Sequence, residues 1–386
     1  MWRARGFARA AGRAKRHAMA RGKNHGLLIA GGGVAAALAA LAMARLRPDA
    51  AMLLAGETPQ AGGGRTQFFL DEQLSPEERD FLAPLVVHSW DGFYVALPGR
   101  SRKLMLRCHA VTGEAIDAAV REALPSERYR PDCRIVAVRD DSLLLHGGEV
   151  VKGDGAIDAR AWTHQTTLEL GWRHSTARTC RFESPHRVDL PVLVDATVDQ
   201  GAGCAFFTCL PLDETRLLVE HVRYSSAGEP VAGEAAGRID SYVGVRGWGR
   251  CRIEGEESAS LPVPLGGDFA AYYRIGGARA AKLGARGGYF GPAIGSPLSD
   301  AARTALLLAA QRDFSGPALY DLFEADAAAL WKRREFQRGF DRLLLRGGGC
   351  SALEGLFGLE PALIARFLGD RLGLFDRRKV MAAAGG

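Results

Sequence analysis

The sequence predicts an α/β (α+β) fold: a Rossmann-like dinucleotide-binding unit, a mostly antiparallel sheet, and a helical C-terminal region. Three observations carry that expectation. Residues 27–54 read as strand, glycine turn, helix and strand; residues 185–275 are rich in alternating β-type segments; and from about residue 313 apolar side chains recur at helical spacing. The chain has 386 residues, and at roughly 150 residues per domain two or three structural units are expected.

The formal charge of +6 is unevenly placed. Residues 1–26 hold eight basic side chains and no acidic one, whereas the other 360 carry 42 basic and 44 acidic. The body is therefore near neutral, and no nucleic-acid partner is expected of it. Residues 1–25 read as a disordered basic extension, with Met19 as an alternative start. Residues 27–44 lack charge and mimic a signal peptide or membrane anchor. They are mostly Ala and Gly, and Gly31-Gly32-Gly33 interrupts any spanning helix, so a βαβ opening is the preferred reading.

In that reading Leu27–Ala30 is a strand, Gly31–Gly33 a turn, and the following Ala-rich helix runs to about Leu46, where Pro48-Asp49 stops it. A second strand follows at Ala51–Leu54. Gly31, Gly33 and Ala36 fit GxGxxG/A: a glycine for the tight turn, a glycine admitting a pyrophosphate, and a small residue for close helix–strand packing. The phosphates would sit on the helix N-terminus, where free N–H groups meet negative charge. An acid is expected after the second strand to hold a ribose; Glu57 is the candidate, beside Gly56. Gly62-Gly63-Gly64-Arg65 reads either as a second phosphate-facing turn or as a plain loop. Residues 143–145 and 156–158 read as short buried strands, the second ending in Asp158 and Arg160. A glycine-dense stretch, Gly284–Gly295, leads into a helix at about 301–312, again a cofactor-facing loop or a simple one.

Ala205–Leu212 and Thr215–Tyr224 flank Asp213-Glu214 and predict a hairpin. Alternation puts Leu218, Glu220, Val222 and Tyr224 on one face. A carboxyl covered among such neighbours is pushed toward its neutral form and becomes a proton donor; left uncovered, it is an ordinary surface glutamate. The seven cysteines show no ligand spacing and are expected as buried free thiols in a reducing compartment, with no metal site. Near the C-terminus, Leu363, Ile364, Phe367 and Leu368 share a helical face beside Arg366, Arg371, Arg377 and Arg378. That pattern suits an interfacial helix on anionic lipid, or a helix packed on its own domain.

These residues resemble the bacterial flavin-containing lycopene β-cyclases. The matching stretches are PDAAMLLAGETPQAGG (48–63), APLVVHSW (83–90), RKL (102–104), AID-A-R (156–160), VDATVDQ (194–200), LPLDETRLLVE (210–220) and LIARFL (363–368). The resemblance implies an FAD-binding fold of the hydroxybenzoate-hydroxylase kind and acid-catalysed, non-redox closure of the ends of lycopene. Reduced FAD would assist, with NADPH or NADH as reductant. It places the essential acid at Glu220 and sets Gly31, Gly33 and Arg65 on the dinucleotide, with Gly288 and Gly295 facing the flavin. It implies lycopene and related linear carotenoids as partners and a cytoplasmic protein bound peripherally to the inner membrane. The implied division is an FAD-binding unit at 26–110, 130–165 and 275–312, a substrate-facing sheet at 166–274, and a membrane-proximal helical region at 313–386. The sequence departs from the family pattern at Gly56, at Gly64-Arg65-Thr66-Gln67, at Ala161, at His221 and at 291–297. Two other readings stand beside it: a catalytically impaired relative that binds carotenoid, and another flavin enzyme acting on an isoprenoid.

Overall fold

The computed structural model describes residues 25–385 except 163–165, 202, 227–232, 277–278, 292–293, 295 and 347–349. The basic extension thus lies almost wholly outside the described residues. The chain opens with β1 (Leu27–Ala30), α1 (Val34–Leu46) and β2 (Met52–Ala55), as the sequence predicts to within a residue. A glycine turn at 62–64 leads to β3 (Gln67–Leu70), α2 (Pro76–Leu82), β4 (His88–Trp90), β5 (Phe93–Leu97), β6 (Arg100–Leu104) and β7 (Cys108–Val111). Next come α3 (Gly113–Ala123), β8 (Tyr129–Arg130), β9 (Ile135–Val138), β10 (Ser142–Leu145), β11 (Val150–Lys152) and β12 (Gly155–Asp158). The middle holds β13 (Leu168–Phe182), β14 (Val192–Asp195), β15 (Ala205–Pro211), β16 (Arg216–Ser225), α4 (Glu234–Val245) and β17 (Cys251–Gly267). After α5 (Phe269–Arg274) and β18 (Ala281–Lys282) the chain is helical: α6 (Leu298–Ala309), α7 (Gly316–Arg333), α8 (Glu335–Leu345), α9 (Ser351–Gly358), α10 (Pro361–Leu368) and α11 (Leu374–Gly385).

Five strands form a parallel sheet in the order β18-β12-β1-β2-β8. Seven form a second sheet, β17-β13-β16-β15-β14-β5-β6, antiparallel except where β14 runs beside β5. The sequence thus locates both sheets, though β5 and β6, expected with the first unit, extend the edge of the second. Two three-stranded sheets, β11-β10-β9 and β3-β7-β4, complete the β structure of the described residues.

The Ala-rich composition of α1 has a packing reason. Every residue from Ala36 to Met43 is fully buried, with α3 and α6 laid against the helix. Ala302 and Ala305 of α6 are equally buried, and small side chains on both helices let their axes approach closely. Among the described residues no helix is long and apolar enough to cross a membrane. On the second sheet, α4 covers one face: Ile239, Tyr242 and Val243 pack on Phe207, Cys209 and Val219. This helix lies within the region read as rich in β-type segments. The other face looks toward the parallel-sheet unit, with α8–α10 packed across one end.

Of the two readings of the C-terminal stripe the packed one holds, and the expectation for the cysteines fails. Leu363, Ile364, Phe367 and Leu368 do share a face, but it is buried, between 0 and 5% exposed, in the core that α8–α11 build with the second sheet. The segment also breaks between α10 and α11 rather than running on as one interfacial helix. Periodicity identified the apolar face but not what covers it. The cysteines are not all free thiols either: a disulfide joins Cys204, preceding β15, to Cys350, preceding α9, across 146 residues of sequence. Cys108, Cys180 and Cys209 are buried free thiols, and Cys133 and Cys251 are partly covered.

Candidate active site

A cleft of about 720 Å³, open to solvent, lies between the seven-stranded sheet and the segments 65–68 and 294–297. The first of these segments follows directly on a cradle of glycine backbone at the end of the parallel sheet. Gly31 ends β1 with φ +141°, and a Cβ there would lie 2.4 Å from the Ala159 carbonyl oxygen at the end of β12, so only glycine fits. Gly33 caps α1 without any side-chain hydrogen bond, and a Cβ on it would meet nothing within 4 Å. The first N–H groups of α1 have no partner within the helix, as at any helix start. Gly62, Gly63 and Gly64 curl beside them, all at positive φ, with the Gly63 N–H donating to the Gly32 carbonyl at 3.2 Å. Ala36, fully buried, gives the close helix packing its motif position requires.

The sheet wall of the cleft is the face of β15, β16, β13 and β17. Register makes it inevitable: Glu220 lies opposite Thr208 on one side and Ala177 on the other, and Ala177 lies opposite Glu257. Side chains in one row leave one face. Glu220 has only 15% of its side chain exposed. Its Oε1 lies 3.4 Å from an Arg173 nitrogen and 3.7 Å from an Arg65 nitrogen, while its Oε2 has no hydrogen-bond partner among the described residues. The expected purely apolar setting is thus corrected: two guanidiniums bracket one oxygen. Arg65 also donates to Ser175 Oγ at 3.0 Å, and its buried Nε has no partner. Burial lowers the Arg65 pKa and Glu220 opposes that shift. Beyond Glu220, toward the β15–β16 turn, the wall becomes apolar: Ala177, Leu210 and Leu218 are buried beneath Phe68, Trp90 and Leu212.

The remaining expected residues divide. Asp158, 6% exposed, is held by Arg160 through two hydrogen bonds of 2.9 Å and lies 3.5 Å from Arg286. It ends β12 beside the Gly31 turn. Glu57 is exposed and turned away from the cradle, accepting the Ile135 N–H at 3.2 Å. Arg65, expected on the dinucleotide, reaches instead for the sheet. Gly288 has φ +88°, and the place of its Cβ is filled by the Phe269 ring 2.5 Å away, so it shapes a turn rather than opening a surface. Gly295 lies outside the described residues; its neighbours Ile294 and Ser296 line the cleft. His221, standing where the resemblance expects an acid, points to the opposite face against Phe207. Burial, with Arg238 next in weight, lowers its pKa to about 4. Sequence reading missed Arg173, Thr66 and Glu257. Alternation along 168–182 places Arg173, Ser175 and Ala177 together, but only cross-strand register brings them to Glu220.

The donor set fits a dinucleotide. Amides at the α1 N-terminus, two unobstructed glycine positions at 33 and 64, and the buried, unpartnered Nε of Arg286 beside Asp158 suit a pyrophosphate at the end of β1. The ribose end has Gly56 in place of a carboxylate, packed 3.3 Å from the Gly32 Cα by its would-be Cβ.

Comparison with known proteins agrees with this architecture. Residues 26–384 match the family described as Lycopene cyclase protein. The chain is 30% identical over 359 residues to lycopene beta-cyclase of Pseudescherichia vulneris, covering 92% of each protein. It is 30% identical over 363 residues to the Pantoea ananas protein of the same name, covering 93% of this chain and 94% of that one. Among solved structures, p-nitrophenol 4-monooxygenase from Pseudomonas putida aligns with a TM-score of 0.59 at 12% identity, over 93% of this chain and 97% of that one. The flavin-dependent monooxygenase PieE, solved with FAD and substrate, aligns with a TM-score of 0.55 at 16% identity, over 94% and 71%. At these identities the likeness is one of fold.

Proposed function

The chain belongs to the lycopene cyclase family, and from that premise we propose that it closes the ends of lycopene into β-ionone rings, giving β-carotene, with Glu220 as the acid. The observation that carries the assignment is the position of Glu220. It is a largely buried carboxyl that lines the cleft beside an apolar trough of Ala177, Leu210 and Leu218.

Arg173 and Arg65 occupy Oε1, so Oε2 is the oxygen turned to the polyene. Glu220 delivers a proton to the terminal double bond. The adjacent carbon becomes a tertiary cation, the neighbouring alkene attacks it, and loss of a proton leaves the ring. No net oxidation occurs. Leu210, Leu218, Phe68 and Trp90 hold the rest of the polyene by burial of apolar surface. The amides of α1 and the 62–64 turn would hold the pyrophosphate of FAD. Reduced FAD, with NADPH or NADH as reductant, would supply electron density beside the developing cation.

Contact with the lipid in which the substrate dissolves keeps the expected arginines but takes its apolar part from residues after α10. Leu374 and Phe375 are 78 and 79% exposed at the start of α11, with Arg371, Arg377 and Arg378 close by in sequence. That pairing of apolar tip and positive charge supports peripheral attachment to an anionic membrane surface. Expression in lycopene-accumulating bacteria tests the proposal. β-Carotene or its one-ringed precursor is expected, and unchanged lycopene in the presence of folded protein would refute it.

A further inference from the structure

The cleft contains a second carboxylate that the reaction as written leaves idle. Glu257 on β17 shares a row with Ala177 and Glu220, so both carboxylates project into the same cleft. Their Cα atoms are about 9–10 Å apart, twice the spacing between strands. In the strand row Ala177 alone separates them, and the Arg65 side chain reaches into the same space. Glu257 is held in place: its Oε2 accepts the Thr66 N–H at 2.8 Å and its Oε1 the Thr66 hydroxyl at 3.1 Å. Both bonds come from the loop that carries the glycine turn. The charged groups facing it are Arg65 and Glu220.

We propose that Glu257 is the base that receives the proton released at ring closure. The inference rests on the cyclase reading above. The step balances without an oxidant. Glu220 gives a proton to the polyene and becomes a carboxylate. The new carbon–carbon bond moves the cation into the ring. The C–H bond at the ring carbon joined to the polyene then breaks, its electrons form the ring double bond, and Glu257 takes the proton. A proton returned from Glu257 to Glu220 through the solvent of the open cleft restores the starting state. Burial, opposed by the Thr66 bonds, raises the proton affinity of Glu257, as a base for a carbon acid requires. Its placement across the ring from Glu220 also determines which proton leaves. Loss from the other side of the cation would give an unconjugated ring isomer.

The test is Glu257→Gln in the flavin-loaded full chain, with lycopene supplied in anionic phospholipid vesicles. Gln keeps acceptor and shape but cannot take the proton. Ring formation should fall by about 100-fold or more, with flavin content and lycopene binding unchanged, and the residual product should include the unconjugated isomer. Glu257→Asp should restore β-rings as the sole product at a reduced rate. Rings formed by Glu257→Gln within twofold of the native rate, all of the β type, would overturn the proposal. Loss of activity in step with loss of flavin, in both variants, would also overturn it by making Glu257 a tether for the Thr66 loop. Glu220→Gln in parallel separates the two claims. Rings at the native rate there would refute the acid assignment, while the isomer pattern of Glu257→Gln still reports on the base.

Discussion

The glycine cradle and the sheet wall of the cleft are specified by different physics. The cradle is made of backbone: Gly31 must be glycine because a Cβ would strike the Ala159 carbonyl, and Gly33 caps its helix with no side-chain hydrogen bond and open space at its Cβ position. The sheet wall is made of side chains whose meeting depends on register: Glu220, Arg173, Ser175 and Glu257 come from three strands, and Arg65 from the 62–66 loop. A backbone site survives the loss of neighbouring side chains, so Gly56 in place of an acid leaves the cradle intact. A side-chain site fails with any one member.

Substitutions can break that contrast. The largest effect expected is at Gly31→Val, which puts a branched side chain at φ +141° and 2.4 Å from backbone. Destabilisation by about 3 kcal/mol or more, read by thermal or urea unfolding, should accompany loss of flavin. Behind the sheet, His221 should matter for stability alone. Its folded pKa of about 4 lies below the unfolded value of 6.5, so the unfolded chain binds the extra proton between those limits. Stability should therefore fall as pH drops from 6.5 to 4, by at most about 3 kcal/mol from this group. His221→Phe should flatten that slope and leave ring formation at neutral pH within twofold. The smallest effect is at Gly33→Ala. Nothing obstructs its methyl, so the fold should keep its stability to within about 1 kcal/mol. The methyl stands where phosphate would approach, however, and flavin affinity measured by titration should weaken about tenfold, or about 1.4 kcal/mol.

What the sequence made legible follows the same division. The turn at Gly31–Gly33, the helix after it and the hairpin around Asp213 were readable because each is local. Asp213 alone organises its turn, accepting from the Thr215 and Arg216 amides at 2.9 and 2.7 Å. Arg173 and Glu257 were not readable, because their relation to Glu220 depends on pairing across 47 and 37 residues of chain. Cys204 and Cys350 stayed hidden for the same reason. The α10 face was visible as a stripe, yet whether lipid or Phe340 and Phe357 covers it is a tertiary question.

The central claim is tested most directly by comparing the native chain with Glu220→Gln in lycopene-accumulating cells, scoring pigment by chromatography and flavin on the purified proteins. The account predicts ringed carotenoid from the native chain, none above about 1% of that from the variant, and equal flavin in both. Ringed product at native levels from the variant would contradict it.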